Sequence, residues 1–396
     1  MKKNKIFTLL LMIICTFTFA QKPSLTKAYN FFYEKDYPNA KAMIDLCTQD
    51  EKLAQKASTW LYKGNIYFYI ANDEFEKRRT DINYQFAYPN AASEAYHAFL
   101  TAKKINKNIE GYEMLTPDEG LSKIYLLLFS RGTDLINAKD FKQAEKVLKE
   151  AIESYEMFTP PFYPLQGELY YYYAYTLDIQ NKIEEAEQYY LKAIHDNLTN
   201  HNAHFRLIEL YKKENDIQKM KAILDEGQKT FPTESAFYIA NIEYHFLIGD
   251  SINAQQLLEK IPQEAYNDAD QLTNIANLFI QSKNYSRAVE LLKKADKITP
   301  NNFVIHYNLG VCNYYLAEEV FSKINQLEIS QKEAEAKSLR TQYNQLLHDA
   351  AYYFEKVLAK EPNDLQVLKS LKTIYARTQS PKIEDINLRI KQIENK

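Results

Sequence analysis

A chain of 396 residues with 46% apolar content, 26% charged residues and a formal charge of −3 falls among globular, ordered proteins. Only 8 residues are Gly against 32 Tyr and 21 Phe, which excludes architectures that spend glycine on phosphate loops or tight hairpins and favours long helices. The acidic excess argues against a nucleic-acid binder acting through bulk charge, since that role needs a basic footprint.

Residues 1–20 read as a leader. Lys2, Lys3 and Lys5 precede an apolar run from Ile6 to Phe19, and Ala20 offers a small residue before Gln21. That order is a secretory signal peptide, because the run is short for a membrane span and a polar, unperiodic stretch follows it. A retained anchor is the alternative. Cys15 follows Ile13 and Ile14, not the small residues of a lipoprotein cleavage site, so an unlipidated, exported product is expected. Taking the three lysines from 49 basic residues leaves 46 against 52 acidic ones. Cys47 and Cys312 fall in apolar helical patterns, which predicts two buried thiols and no disulfide. No second apolar run reaches membrane-spanning length.

Residues 21–165 show an irregular helical repeat. Its marker is a small residue, a large one four later and a small one three after that: Ala40, Ile44, Cys47; Ala95, Phe99, Ala102; Ala144, Leu148, Ala151. Extra sequence at Asp73 to Ser93, Ile109 to Gly120 and Tyr155 to Leu165 must lengthen helices or form loops. Thr116-Pro117-Asp118-Glu119 reads as a helix start, with Thr as cap, Pro at the first position and Glu reaching back.

From 166 to 362 the repeat becomes regular. Ala186, Met220, Ala254 and Ala288 are spaced 34 residues apart, each opening the same triad. Upstream lies a partner helix: Tyr170, Tyr173, Ala174, Leu177; His204, Leu207, Ile208, Tyr211; Leu272, Ile275, Ala276, Phe279; His306, Leu309, Gly310. Spacings of three and four place each set on one helical face. Asn181-Lys182, Asn215-Asp216, Gly249-Asp250 and Lys283-Asn284 supply the polar turns between. A Glu/Lys/Gln/Ala-rich insertion at about 318–348 should extend two helices as a polar hairpin. Residues 363–396 form capping helices, with Ile383, Ile386 and Ile390 on one stripe.

This pattern resembles the tetratricopeptide repeat, W-x2-L-G-x2-Y, then A-x3-F, then Pro over 34 residues. Trp60-Leu61-Tyr62-Lys63-Gly64-Asn65-Ile66-Tyr67 matches its first part, with Lys63 where Leu is usual. Tyr307-Asn308-Leu309-Gly310 gives the Leu-Gly pair, with Asn313 in an aromatic position. The resemblance implies an all-α, right-handed solenoid of antiparallel helix pairs. The leader, irregular first repeats, late insertion and the stretch Leu371 to Thr378 also resemble exported repeat proteins of Gram-negative bacteria, which implies a periplasmic or envelope-associated scaffold.

No catalytic set emerges. Glu234-Ser235-Ala236-Phe237 resembles the acid motif of helical lytic transglycosylases, yet it falls on a repeat junction and lacks the usual Gly-Leu-Met-Gln continuation; a helix-start carboxylate is the expected role. His201 and His204 lack completing metal ligands, and His204 occupies a packing position. No cofactor or metal is expected.

In the repeat family the first helix of each pair lines a concave groove. By register, the residues beside the packing stripe are Tyr62, Asn65 and Phe68; Tyr171, Tyr172 and Tyr175; Phe205, Arg206, Glu209 and Lys213; Ile239 and Glu243; Asn274 and Asn277; Tyr307, Asn308 and Tyr314. Aromatic rings give contact area at low entropy cost, and Asn bonds both groups of a peptide backbone. Any single Tyr is equally open to a packing role. The expected function is a non-enzymatic scaffold binding a protein or peptide, an envelope component, with no nucleic acid and no membrane span after leader cleavage. A glycan- or peptidoglycan-binding helical protein, with or without cleavage, is the alternative, since aromatic grooves also stack sugars.

Overall fold

The computed structural model describes residues 22–158, 166–196, 200–261, 268–329 and 333–394. The expected leader and the end of the Tyr155 to Leu165 segment lie outside them. Among the described residues the structure holds eighteen helices and no strand. It divides into two compact units, Met1–Leu210 and Tyr211–Lys396; the boundaries drawn above at 165 and 362 follow repeat regularity, a different criterion.

The first unit contains α1 (Leu25–Tyr33), α2 (Tyr37–Gln49), α3 (Ala57–Thr80), α4 (Ala91–Ile105), α5 (Pro117–Asn137), α6 (Phe141–Met157), α7 (Gln166–Ile179), α8 (Ile183–His195) and the start of α9 (Asn202–Glu214). The second holds the end of α9, then α10 (Ile217–Thr230), α11 (Ser235–Leu247), α12 (Ser251–Leu258), α13 (Ala269–Gln281), α14 (Tyr285–Ile298), α15 (Phe303–Ile329), α16 (Glu333–Lys360), α17 (Leu365–Arg377) and α18 (Ile383–Glu394). Helices pack as consecutive pairs, α1 with α2, α3 with α4, α5 with α6 and α7 with α8 in the first unit, α11 with α12, α13 with α14, α15 with α16 and α17 with α18 in the second. Odd-numbered helices also touch each other, α1 with α3, α3 with α5 and α5 with α7 in the first unit, α11 with α13 and α13 with α15 in the second. Each unit thus has one face lined by first helices.

The repeat triads form the core. Ala40, Ile44, Cys47, Ala95, Phe99, Ala102, Ala144, Leu148 and Ala151 are fully buried, as are Ala186, Tyr190, Ala193, Met220, Leu224, Ala288, Leu292 and Ala295. Their small members let helices approach closely. A Cβ on Gly64 or Gly120 would meet the Phe99 ring at 2.6 or 2.4 Å, so this ring is sandwiched between α3 and α5. Cys47 and Cys312 are buried free thiols.

The turns between paired helices share one design. Lys35, Lys139, Asn181, Asn215, Lys283 and Gly249 all have positive φ, between 58 and 76°. This left-handed step reverses the chain. After most of them comes a capping side chain: Asp36, Asp140, Asp216, Asp250 and Asn284 each accept from the backbone N–H three residues on. The capping box expected at Thr116 and Glu119 is present.

Tyrosine abundance has a further cause beyond packing and groove. Several hydroxyls bridge helices by donating to a carboxylate: Tyr67 to Asp45 at 2.8 Å, Tyr96 to Glu153 at 2.9 Å, Tyr170 to Glu156 at 2.9 Å, Tyr190 to Asp178 at 3.1 Å, and Tyr375 to Glu355. A ring buries apolar area while its hydroxyl satisfies a charged acceptor.

The insertion lengthens α15 and α16 to 27 and 28 residues. Its composition predicts a polar hairpin, but it carries its own small core of Val320, Ile324 and Ala336, against which Leu327, Leu339, Tyr343 and Leu346 pack. The segment after α3 folds back as well: buried Glu74 accepts from the Tyr84 hydroxyl at 2.9 Å and the Tyr88 N–H at 3.3 Å.

Candidate functional site

In the first unit, first-helix side chains form an aromatic face. Tyr62, half-buried on α3, packs on Tyr29 with ring centroids 5.9 Å apart. Tyr171, Tyr172 and Tyr175 are half-buried on α7. Tyr171 stacks toward Tyr175 at 6.5 Å, and Tyr172 meets Phe129 of α5 at 5.7 Å. From α9, the Arg206 guanidinium lies over the Tyr175 ring at 4.8 Å and 3.8 Å from Asp178. Burial pushes the Tyr171 hydroxyl up from its ordinary value, against a lowering contribution from Arg206. Phe205 is half-buried beside His201, and Glu209 is exposed. The sequence reading missed Asp178, although Tyr171, Tyr175 and Asp178 follow the i, i+4, i+7 spacing of one helical face.

Asn65 requires a correction. It is fully buried and faces no groove. Its amide nitrogen donates to the carbonyls of Leu61 and Leu115, each at 3.0 Å, and its oxygen accepts from the Leu115 N–H at 2.8 Å. The long connection 106–116 between α4 and α5 covers it, so Asn65 anchors that connection to α3.

In the second unit the face is polar. Lys212, Glu243, Leu247, Asn274, Asn277 and Gln281 line a depression of about 230 Å³ formed by α9, α11 and α13. Lys212 donates to Glu243 at 2.8 Å. Asn274 and Asn277 are exposed, and the Asn277 oxygen accepts from the Asn308 amide of α15 at 2.7 Å. Lys213, chosen by register, is exposed, yet its neighbour Lys212 makes the lining contact. Tyr307 is half-buried against Phe354 at 6.1 Å. Tyr314, half-buried under the Arg377 guanidinium, lines an open depression of about 540 Å³ with Leu365, Lys369 and Thr373.

The set-aside catalytic and metal candidates have structural positions. Glu234 is the N-cap of α11 and accepts from the Ala236 N–H. His204 is buried, and burial, with a contribution from His201, pushes its imidazole down to about 4. No group of three or more potential metal ligands occurs among the described residues. None of their helices is long and apolar enough to cross a membrane.

Sequence models of the tetratricopeptide repeat match residues 129–200 and 270–302. A curated relative, interferon-induced protein with tetratricopeptide repeats 2 of Cricetulus griseus, is 31% identical over 102 residues, 26% of this chain and 19% of that protein. The chain thus spans about a fifth of that relative's length. Among solved structures, a tetratricopeptide repeat protein from Parabacteroides merdae is 16% identical, with TM-score 0.37 over 72% of this chain and 96% of the other. An IFIT1 monomeric mutant with Gppp-AAAA is 13% identical, with TM-score 0.41 over 83% of this chain and 68% of the other. YrrB, a TPR protein with an unusual peptide-binding site, is 16% identical, with TM-score 0.34 over 53% and 97%.

Proposed function

We propose that this chain, a tetratricopeptide repeat protein, is a non-enzymatic, exported scaffold that holds an extended segment of an envelope protein on a first-helix face. The observation that carries the reading is the amide array of the second unit. Asn274, Asn277 and Gln281 line one depression, and Asn308 bonds to Asn277. Primary amides present a donor and an acceptor together, the complement of a peptide group. The aromatic face of the first unit, taken by itself, offers flat, partly exposed area for apolar side chains of a protein partner.

Export rests on the leader at 1–20, and an N-terminus at Gln21 in protein recovered from the cell envelope would support it. The acidic balance supports a partner other than nucleic acid. The binding test is titration calorimetry with extended peptides selected on the full chain from a peptide library. An Asn274→Ala, Asn277→Ala double substitution should weaken binding about tenfold or more, given about 1 kcal/mol per lost hydrogen bond. N-methylating the bound peptide's backbone should do the same. Unchanged affinity in both arms, or tighter binding of a capped RNA oligonucleotide than of any peptide, would sink the reading.

A further inference from the structure

We propose that the second unit carries another site, away from the first-helix face, that takes a basic side chain, lysine or arginine, of a protein partner. A pocket of about 350 Å³ opens at the α13–α14 turn. Its floor is apolar, from the buried Leu258 and Phe279. Its rim is polar and carries the exposed Glu259 and Glu319, and the half-buried Tyr285 also lines it. Lys283 is the one cation among the lining residues. Neither glutamate meets a basic group within 4.0 Å among the described residues. Two exposed carboxylates against one lysine leave the rim net negative.

The pocket depends on the insertion. The first helices α11 and α13 have 13 residues each. A 13-residue helix from Phe303 would stop at Tyr315, one turn short of Glu319. Only the lengthened α15 brings that carboxylate over the turn. Tyr315 stacks on Tyr285 at 4.9 Å with planes 10° apart, which holds the Tyr285 ring in place.

This combination selects its ligand. The methylene stem of Lys or Arg suits the Leu258 and Phe279 floor, while its charged end is held at the carboxylates and over an aromatic face. An anion would be repelled by the rim, and a neutral side chain would leave both carboxylates without a partner. The pocket shares no lining residue with the amide face.

The probes are the tripeptide acetyl-Gly-Lys-Gly-amide, its Arg counterpart and its Gln counterpart, titrated onto the full chain by amide-resolved NMR. The Lys and Arg peptides should shift the Lys283 and Ser286 amides saturably, and the Gln peptide should not. Glu259→Gln and Glu319→Gln should each weaken binding about threefold and together about tenfold, as expected of partly exposed ion pairs. Raising the salt should weaken it likewise. The Asn274→Ala, Asn277→Ala variant should bind these probes like the parent, so this site and the amide face can fail separately. Equal shifts with the Gln peptide, unaltered binding in the double Gln variant, or binding of spermidine without binding of either basic peptide would each overturn the proposal.

Discussion

Replacing Asn65 with Leu separates a structural role from a groove role at one residue. Leu has the branching and heavy-atom count of Asn, so it is the apolar replacement nearest in shape at this fully buried position. The substitution deletes three hydrogen bonds, two of them to the Leu115 backbone. Leu115 is half-buried, so its N–H and carbonyl recover only part of their hydration. At about 1–3 kcal/mol for each buried group left unsatisfied, and with the lower half of that range for partial exposure, the loss for the two groups should be about 2–4 kcal/mol. The Leu61 carbonyl adds little, because it lies inside a helix. Trp60 is the single tryptophan and lies in the first unit, so its fluorescence during urea unfolding follows that unit. Asn65→Asp is the second arm. It keeps an acceptor for the Leu115 N–H but sets a buried carboxylate against two carbonyls, and it should destabilise at least as much. A loss below about 0.5 kcal/mol in both variants, within the ordinary range of surface substitutions, would refute the anchor. Weaker peptide binding at unchanged stability would return Asn65 to the groove.

Three further outcomes follow from the same structure. His204 is held neutral, with a folded value of about 4 against an unfolded 6.5; its stabilising contribution is complete above pH 6.5 and is lost as pH falls toward 4. That amounts to about 3 kcal/mol at most, and midpoints of thermal unfolding between pH 7 and 4 should fall less steeply in His204→Leu. Gly310→Ala places a Cβ 2.7 Å from the Phe354 ring and should cost about 1–3 kcal/mol, with recovery when Phe354 is shortened to Leu; calorimetry of both variants checks this. Lys139→Gly relieves a lysine held at φ 61°, where an L residue is strained by about 1–2 kcal/mol and glycine's added chain entropy offsets part of the gain; a rise of about 0.5–1 kcal/mol in chemical unfolding is expected.

The buried triads and polar turns were legible in the 34-residue register, because helix pairing in such arrays rests on neighbours close in sequence. The same local rule placed Asn274 and Asn277 on an exposed face. It fails wherever a residue's surroundings come from an irregular connection. Asn65 has the spacing of a groove residue, but the path of 106–116 buries it, and no periodicity encodes that path. The insertion shows the same division. Its composition announced two longer helices, while its apolar core and the reach of Glu319 to the α13–α14 turn depend on how those helices lie. Hydroxyl bridges such as Tyr96 to Glu153, 57 residues apart, belong to the same class, since they join helices across repeats of unequal length. The chain's own sequence determined which residues make helices and which stripe each helix buries, because both are set within a few turns of backbone. Only the tertiary structure decided which of the remaining side chains meet a partner, because that depends on contacts between segments whose separation along the chain carries no period.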